Sequence, residues 1–356
     1  MSFLQQALLV VATAIVVAFF IPAFYKPSYP VPEVFGTVAP GFEEVKVVFR
    51  ENYEDNWDNR EAGSAFSVYY KGENVVDLWA GFADMEAKRL WKEDTMTVIF
   101  STTKGLTALC AAMLADRGLI DFKKPVAHYW PEFAQHGKEK ITVEQLLEHE
   151  AGLLATDSPL SYEILTNYTA LDKILAETKP KWEPGTRHGY HGITFGPYVD
   201  AIVRRVDPEK RSIGKFFDEE VSKPFDIDAY IGAPLELDHR TGRCTNVQER
   251  FSDIIYGLRN VEVIRTLILG RIFGGNESGK LNKLMFETCG NICEAGNIFG
   301  ASGLGGQVGY ADPNFHIGYG FVSRYMSPMG IQMYDPRFKR LKDSMMRAIK
   351  NLQERP

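Results

Sequence analysis

Phe100-Ser101-Thr102-Thr103-Lys104-Gly105, followed by Leu106-Thr107-Ala108-Leu109-Cys110-Ala111-Ala112-Met113-Leu114, is the stretch that decides how the chain is read. Apolar residues at Leu106, Leu109, Cys110, Met113 and Leu114 recur with a helical period, and Arg117-Gly118 supplies a basic last turn and a glycine stop. A helix beginning at about Ser101 puts the Ser101 hydroxyl and the Lys104 amine one turn apart on one face. A nucleophile and a base then meet at a helix N-terminus, where unpaired N–H groups and the positive end of the helix dipole favour an alkoxide or oxyanion. Ser-x-x-Lys alone is more often an N-cap serine followed by a solvated lysine, so the rest of the chain has to decide.

The chain has 356 residues, 45% hydrophobic and 24% charged, which allows a large core and exceeds the usual single domain. One large domain with an inserted subdomain is expected. Forty basic residues against 46 acidic ones, with no basic run to follow a phosphate backbone, argue against nucleic acid as a partner. The four cysteines, Cys110, Cys244, Cys289 and Cys293, are too few and scattered for a disulfide framework, and none forms a Cys-x-x-Cys pair. Cys110 lies on the apolar stripe and reads as a small core residue.

Residues 7–24 carry no charge and only Thr13 as a polar side chain, which predicts a single-pass anchor (residues 1–25) in contact with the lipid bilayer. A basic n-region and a clean cleavage site are missing, so the anchor is read as uncleaved. Lys26 favours a cytoplasmic domain, whereas the acceptor sequons at Asn167 and Asn276 serve only in a lumen, and the side stays open. Prolines 27, 30 and 32 mark residues 26–38 as a stiff linker, leaving residues 39–356 as the folded domain.

Within that domain the spacing predicts a helix over Gly41 to Tyr53, then a hairpin of Ala65 to Tyr70 and Asn74 to Ala80 around Lys71-Gly72-Glu73. From about 107 to 287 the pattern is mostly helical and loop-rich. It includes a helix capped by Thr142 that stops before Gly152, and another over Phe195 to Val206. Strands return at Ile298 to Gly300, Val308 to Ala311 and His316 to Ser323, followed by a helix from Arg337 to Leu352. Strands at both ends with helices between predict an α+β fold: one antiparallel sheet built from both termini, flanked by helices, with a helical subdomain inserted.

Two further stretches carry chemistry. In Trp182-Glu183-Pro184-Gly185-Thr186-Arg187-His188-Gly189-Tyr190-His191-Gly192 the Pro-Gly turn and flanking glycines present Tyr190 on a loop. In Phe299-Gly300-Ala301-Ser302-Gly303-Leu304-Gly305-Gly306-Gln307 the glycines allow close approach to the backbone. With the Ser101 box, Tyr129-Trp130-Pro131-Glu132-Phe133, Leu146-Leu147-Glu148-His149-Glu150-Ala151-Gly152-Leu153 and Ala311-Asp312-Pro313, these stretches resemble the serine β-lactamase-like family. The likeness runs over roughly Phe42 to Tyr325 and is greater to its carboxylesterase branch than to the antibiotic-hydrolysing enzymes.

The resemblance implies Ser101 as an acylated nucleophile acting on esters or small amides, with Lys104 and Tyr190 as the proton-handling pair. The base is not assigned between them, because two coupled groups titrate together. It also implies an oxyanion hole from the N–H groups of Ser101 and Leu304, with Gly303, Ser302 and His191 around the substrate, and neither metal nor organic cofactor. The chain departs from the family at Ala301, which stands where Lys-Thr-Gly or His-x-Gly is usual, and at Gly192, where an asparagine is common. A second reading follows: a binding or scaffolding protein that keeps the fold with impaired catalysis. Gly274 to Lys280 spells most of a phosphate-binding loop, but Leu281 takes the required hydroxyl position and the stretch is read as a plain loop. His188 and His191 would suit a metal only with a third ligand from elsewhere. His149 is read as a hydrogen-bonded turn residue.

Overall fold

Phe66 pairs with Phe321, and that long-range register organises the sheet. The computed structural model describes residues 29–55, 57–244, 298–326 and 335–354. Among these, six strands form an antiparallel sheet in the order β1-β3-β2-β8-β7-β6. They are β1 (Val34–Val38), β2 (Ser64–Tyr70), β3 (Glu73–Ala80), β6 (Phe299–Gly303), β7 (Gln307–Asp312) and β8 (Ile317–Ser323), with a small separate pair of β4 (Phe82–Asp84) and β5 (Arg89–Leu90). Alternation in β2 buries Phe66, Val68 and Tyr70. Its two-residue turn to β3 places both Lys71 and Gly72 at positive φ, 53° and 86°, the twist a tight hairpin favours.

Helices α1 (Glu43–Glu54) and α6 (Pro336–Gln353) lie together, joined by an Asn52 Nδ2–H bond to the Arg337 carbonyl at 3.0 Å and an Arg340–Glu51 pair at 2.9 Å. Their apolar stripes are buried, Val45, Val48 and Phe49 on one and Phe338, Leu341 and Met345 on the other.

The described residues divide into two compact units, one holding those before Thr103 and after Glu236, the other being Thr103–Glu236. The second contains α2 (Thr103–Asp116), α3 (Val143–Leu147), α4 (Tyr168–Glu177) and α5 (Phe195–Val206) around a core that includes Trp130, Phe133 and Tyr198. Thr142 caps α3 through a reciprocal capping box with Gln145. Buried Lys138 donates to the Ala176 and Thr178 carbonyls at 2.6 and 2.7 Å, closing the end of α4, and burial brings its amine down to about 8.

Three expectations need correction. Val34–Val38 belongs to the sheet, not to a linker: Gly36, at φ 95°, lets β1 run so close to β3 that a Cβ there would sit 1.9 Å from the Asp77 carbonyl oxygen. The α2 stripe is rotated, with Thr107, Cys110, Ala111 and Leu114 buried while Leu109 is exposed, because a nearly all-apolar helix leaves its buried face to packing. The single-pass localisation is also corrected: among the described residues no helix is long and apolar enough to cross a membrane. Residues 7–24, on which the anchor and the bilayer contact rested, lie outside the described residues, as does the Gly274 to Lys280 loop.

At the sheet's C-terminal side Arg337 is 1% exposed, paired with Asp335 at 2.6 Å and Asp58 at 3.3 Å. Burial opposes its charge, but Asp335 and Asp58 hold its pKa above the ordinary value. Removing the guanidinium leaves two buried carboxylates without it. Arg337→Met is expected to lower stability by about 3–5 kcal/mol, read as the urea midpoint, and a loss below about 1 kcal/mol would show that the cluster is not needed.

Candidate active site

The first unit shapes the surroundings of Ser101. A 3-10 turn, Phe100–Thr102, runs directly into α2, and the residue before Ser101, Phe100, sits at φ 46°, a left-handed conformation that costs a non-glycine residue energy. The turn is pinned by the Thr102 N–H on the Ile99 carbonyl at 3.1 Å and the Thr102 hydroxyl on the Gln307 carbonyl at 3.3 Å. Gly303 is why β6 reaches the turn at all: a Cβ there would stand 2.2 Å from the Ile99 oxygen and 2.9 Å from Thr102 Oγ1.

Past Gly303 the chain makes a second 3-10 turn, Leu304–Gly306, before β7. Gly306 is at φ 90°, and a Cβ would lie 2.1 Å from Asp335 Oδ2, while Arg337 Nη2 donates to the Gly305 carbonyl at 2.7 Å. The segment that carries Leu304 is therefore braced from behind. Leu304 itself is 52% exposed and Phe299 64%. Ala301 and Ser302 are half-buried, paired in register with Gly309 and Val308.

The second unit holds Lys104 and Tyr190 together. Lys104, in the first turn of α2, donates to the Gly192 carbonyl at 2.9 Å and stands 4.8 Å from the centroid of the Tyr190 ring, a cation–π arrangement. The loop bearing Tyr190 is laid along residues 148–153. Gly185 N–H and Trp182 Nε1–H donate to the Glu150 carbonyl at 3.1 and 3.3 Å, Gly189 N–H to the His149 carbonyl at 3.0 Å, and Leu153 N–H to His191 Nε2 at 3.1 Å. Two of the stretches singled out in the sequence are thus physically one structure.

His191 is 0% exposed, so it supports the loop from inside rather than facing a substrate. His188 Nε2 lies 2.9 Å from Glu150 Oε1 on the outer side. Sequence reasoning missed Arg337, which looked like one more basic residue on an amphipathic helix. It also missed the closeness of His149 to Tyr190, for which the only signal was its place in the 146–153 stretch. Burial pushes the His149 imidazole down to about 3 and that of His191 to about 4; for His149 the charges of His191 and Lys104 add to it.

Comparison with known proteins gives the chain a family and its fold relatives. The family model described as Beta-lactamase matches residues 49–254. The esterase/beta-lactamase LipL of Mycobacterium tuberculosis is 36% identical over 202 residues, 56% of this chain and 46% of that protein. The chain spans about half the length of the curated relatives it matches. Among solved structures, a family VIII carboxylesterase superposes with a TM-score of 0.70 at 29% identity, covering 89% of this chain and 100% of the other. A penicillin-binding protein homologue from Caulobacter crescentus gives 0.71 at 26% identity with the same coverage.

Two outcomes follow from this geometry. Gly303→Ala should lose stability by about 1–3 kcal/mol through overpacking against the Ser101 turn, measured by denaturant titration. The two histidines bind protons in the unfolded chain near pH 6.5 but only near 4 and 3 when folded, so the unfolded state holds more protons in between. Stability should then be full above pH 6.5 and fall as the pH drops toward 4. A melting temperature flat across that range would contradict the buried neutral pair.

Proposed function

We propose, for a chain that belongs to the beta-lactamase family, that it is a serine hydrolase whose Ser101 is acylated by an ester or small amide. The observation that carries the reading is the Lys104 amine, three residues after Ser101 in the chain, seated over the Tyr190 ring and bonded to the Gly192 carbonyl. The Lys104–Tyr190 pair takes the Ser101 hydroxyl proton as Oγ attacks the carbonyl carbon. It returns that proton to the leaving oxygen or nitrogen as the bond to it breaks. Water then attacks the acyl-serine by the same steps in reverse order. The N–H groups of Ser101 and Leu304 are the donors for the oxyanion, and the bracing of the Leu304 turn by Arg337 keeps the second donor in place. The chemistry needs no metal or organic cofactor.

The reading favours an uncharged substrate: Ala301 and Ser302 offer no cation to hold a carboxylate, and the exposed side chain of Leu304 adds hydrocarbon surface beside its N–H. His191, buried beneath the loop, and Gly303, packed under the Ser101 turn, serve the site through its shape. Ala301 also motivates the second reading, a fold retained for binding with catalysis impaired.

A fluorophosphonate probe separates the two. Wild-type protein should form an adduct at Ser101 that Ser101→Ala abolishes, while a folded wild type that never labels favours the binding protein. Lys104→Ala should slow hydrolysis of a short-chain p-nitrophenyl ester at least ~100-fold, and unchanged turnover would remove it from the chemistry. Ala301→His, which restores a side-chain donor, should raise kcat or widen the range of esters accepted.

A further inference from the structure

His149 takes no part in the chemistry proposed above, yet it engages the Tyr190 loop through main chain, ring nitrogen and ring edge. Its backbone is left-handed at φ 63°, uncommon for a residue with a side chain. The carbonyl accepts the Gly189 N–H at 3.0 Å, and Nδ1 accepts the His191 N–H at 3.2 Å. Its ring meets the Tyr190 ring edge-on, with centroids 5.0 Å apart and planes at 64°. Phe195 and His191 enclose the imidazole from other sides, with centroids at 5.1 and 5.2 Å.

The residue before Tyr190 and the residue after it are both tied to His149, whose ring also meets the phenol edge-on. We propose that His149 is a positioning residue for Tyr190: Nδ1 fixes the main chain that follows the tyrosine, and the ring edge fixes the plane of the phenol beside Lys104. The inference rests on the proposed role of Tyr190. Burial, with the charge of Lys104, keeps the imidazole neutral, so the Nδ1 lone pair stays available to the His191 N–H. The need for such a clamp follows from the loop's composition. Gly189 and Gly192 flank the tyrosine without side chains of their own to hold it, and a misplacement of about 1 Å at a reacting group costs on the order of 100-fold in rate.

Three substitutions in the full chain dissect the two contacts. His149→Asn keeps an acceptor at the Nδ1 position and tolerates positive φ but loses the ring, His149→Phe keeps a ring and loses the acceptor, and His149→Ala loses both. With a p-nitrophenyl ester, His149→Ala should lower kcat by about 30- to 100-fold with KM changed less than about threefold, and Asn and Phe should each restore part of the loss. In a Tyr190→Phe background His149→Ala should cost less than about threefold more, because a positioning residue has nothing left to position. Additive losses in that double variant, or a folded Ala variant within twofold of wild type, would overturn the proposal.

Hydrogen exchange of the peptide spanning residues 187–193 reads the clamp without turnover: His149→Ala should speed exchange at the His191 amide, whose acceptor it removes, and Ser101→Ala should not. A wild type that neither labels nor hydrolyses would sink the hydrolase reading alone, while unchanged exchange in His149→Ala would sink the clamp whatever the activity.

Discussion

The guanidinium of Arg337 is the contact on which the sheet side of the structure depends. It is withdrawn from water and answered by Asp335 and Asp58, and it donates also to Ser323 Oγ at 3.2 Å and to the Gly305 carbonyl at 2.7 Å. A charge so placed tolerates little displacement, since each partner lost leaves a group without solvation. It joins the segment after α1, the end of β8, the turn holding Leu304 and the start of α6. The glycine at 306 belongs to the same constraint, because any side chain would occupy the space of Asp335.

The two units solve the problem of positioning in opposite ways. Around Ser101 the sheet unit uses small residues and close backbone approach: Gly303 and Gly309 bring β6 and β7 against Ile99 and Thr102. Around Tyr190 the helical unit uses aromatic contact and hydrogen bonds from one chain segment to another, with His149 packed among Tyr190, His191 and Phe195. For the function proposed, backbone donors of an oxyanion site gain from the first device, since they work only if their N–H groups do not move. The proposed proton-exchanging Tyr190 gains from the second.

Much of the fold was legible because periodicity and turn chemistry agreed with packing. The β2–β3 hairpin, the capping box at Thr142 and α5 ending before Asp207-Pro208 each carry a local signal that tertiary structure leaves standing. What escaped was non-local. β1 is hidden behind prolines and a glycine whose purpose is visible only when β3 lies beside it, and the face α2 buries cannot be chosen from a sequence apolar nearly all round. Arg337 falls among the basic residues of α6, and nothing at that position announces two distant carboxylates. Ser101, Lys104 and Tyr190 are proposed from motif order and resemblance; the packing of His149 on Tyr190 needed coordinates.

The pairing of β2 with β8 has a consequence for the order in which the molecule is made. Ser64 meets Ser323 and Tyr70 meets Ile317, so the centre of the sheet joins stretches of chain that are far apart in sequence. Thr103–Glu236, the described part of the helical unit, is by contrast one run of chain rich in contacts of short range. A nascent chain therefore holds a hairpin of β2 and β3 with one edge open throughout the synthesis of its helical unit. The sheet closes only after β8 has left the ribosome, by a loop closure that spans everything between Tyr70 and Ile317.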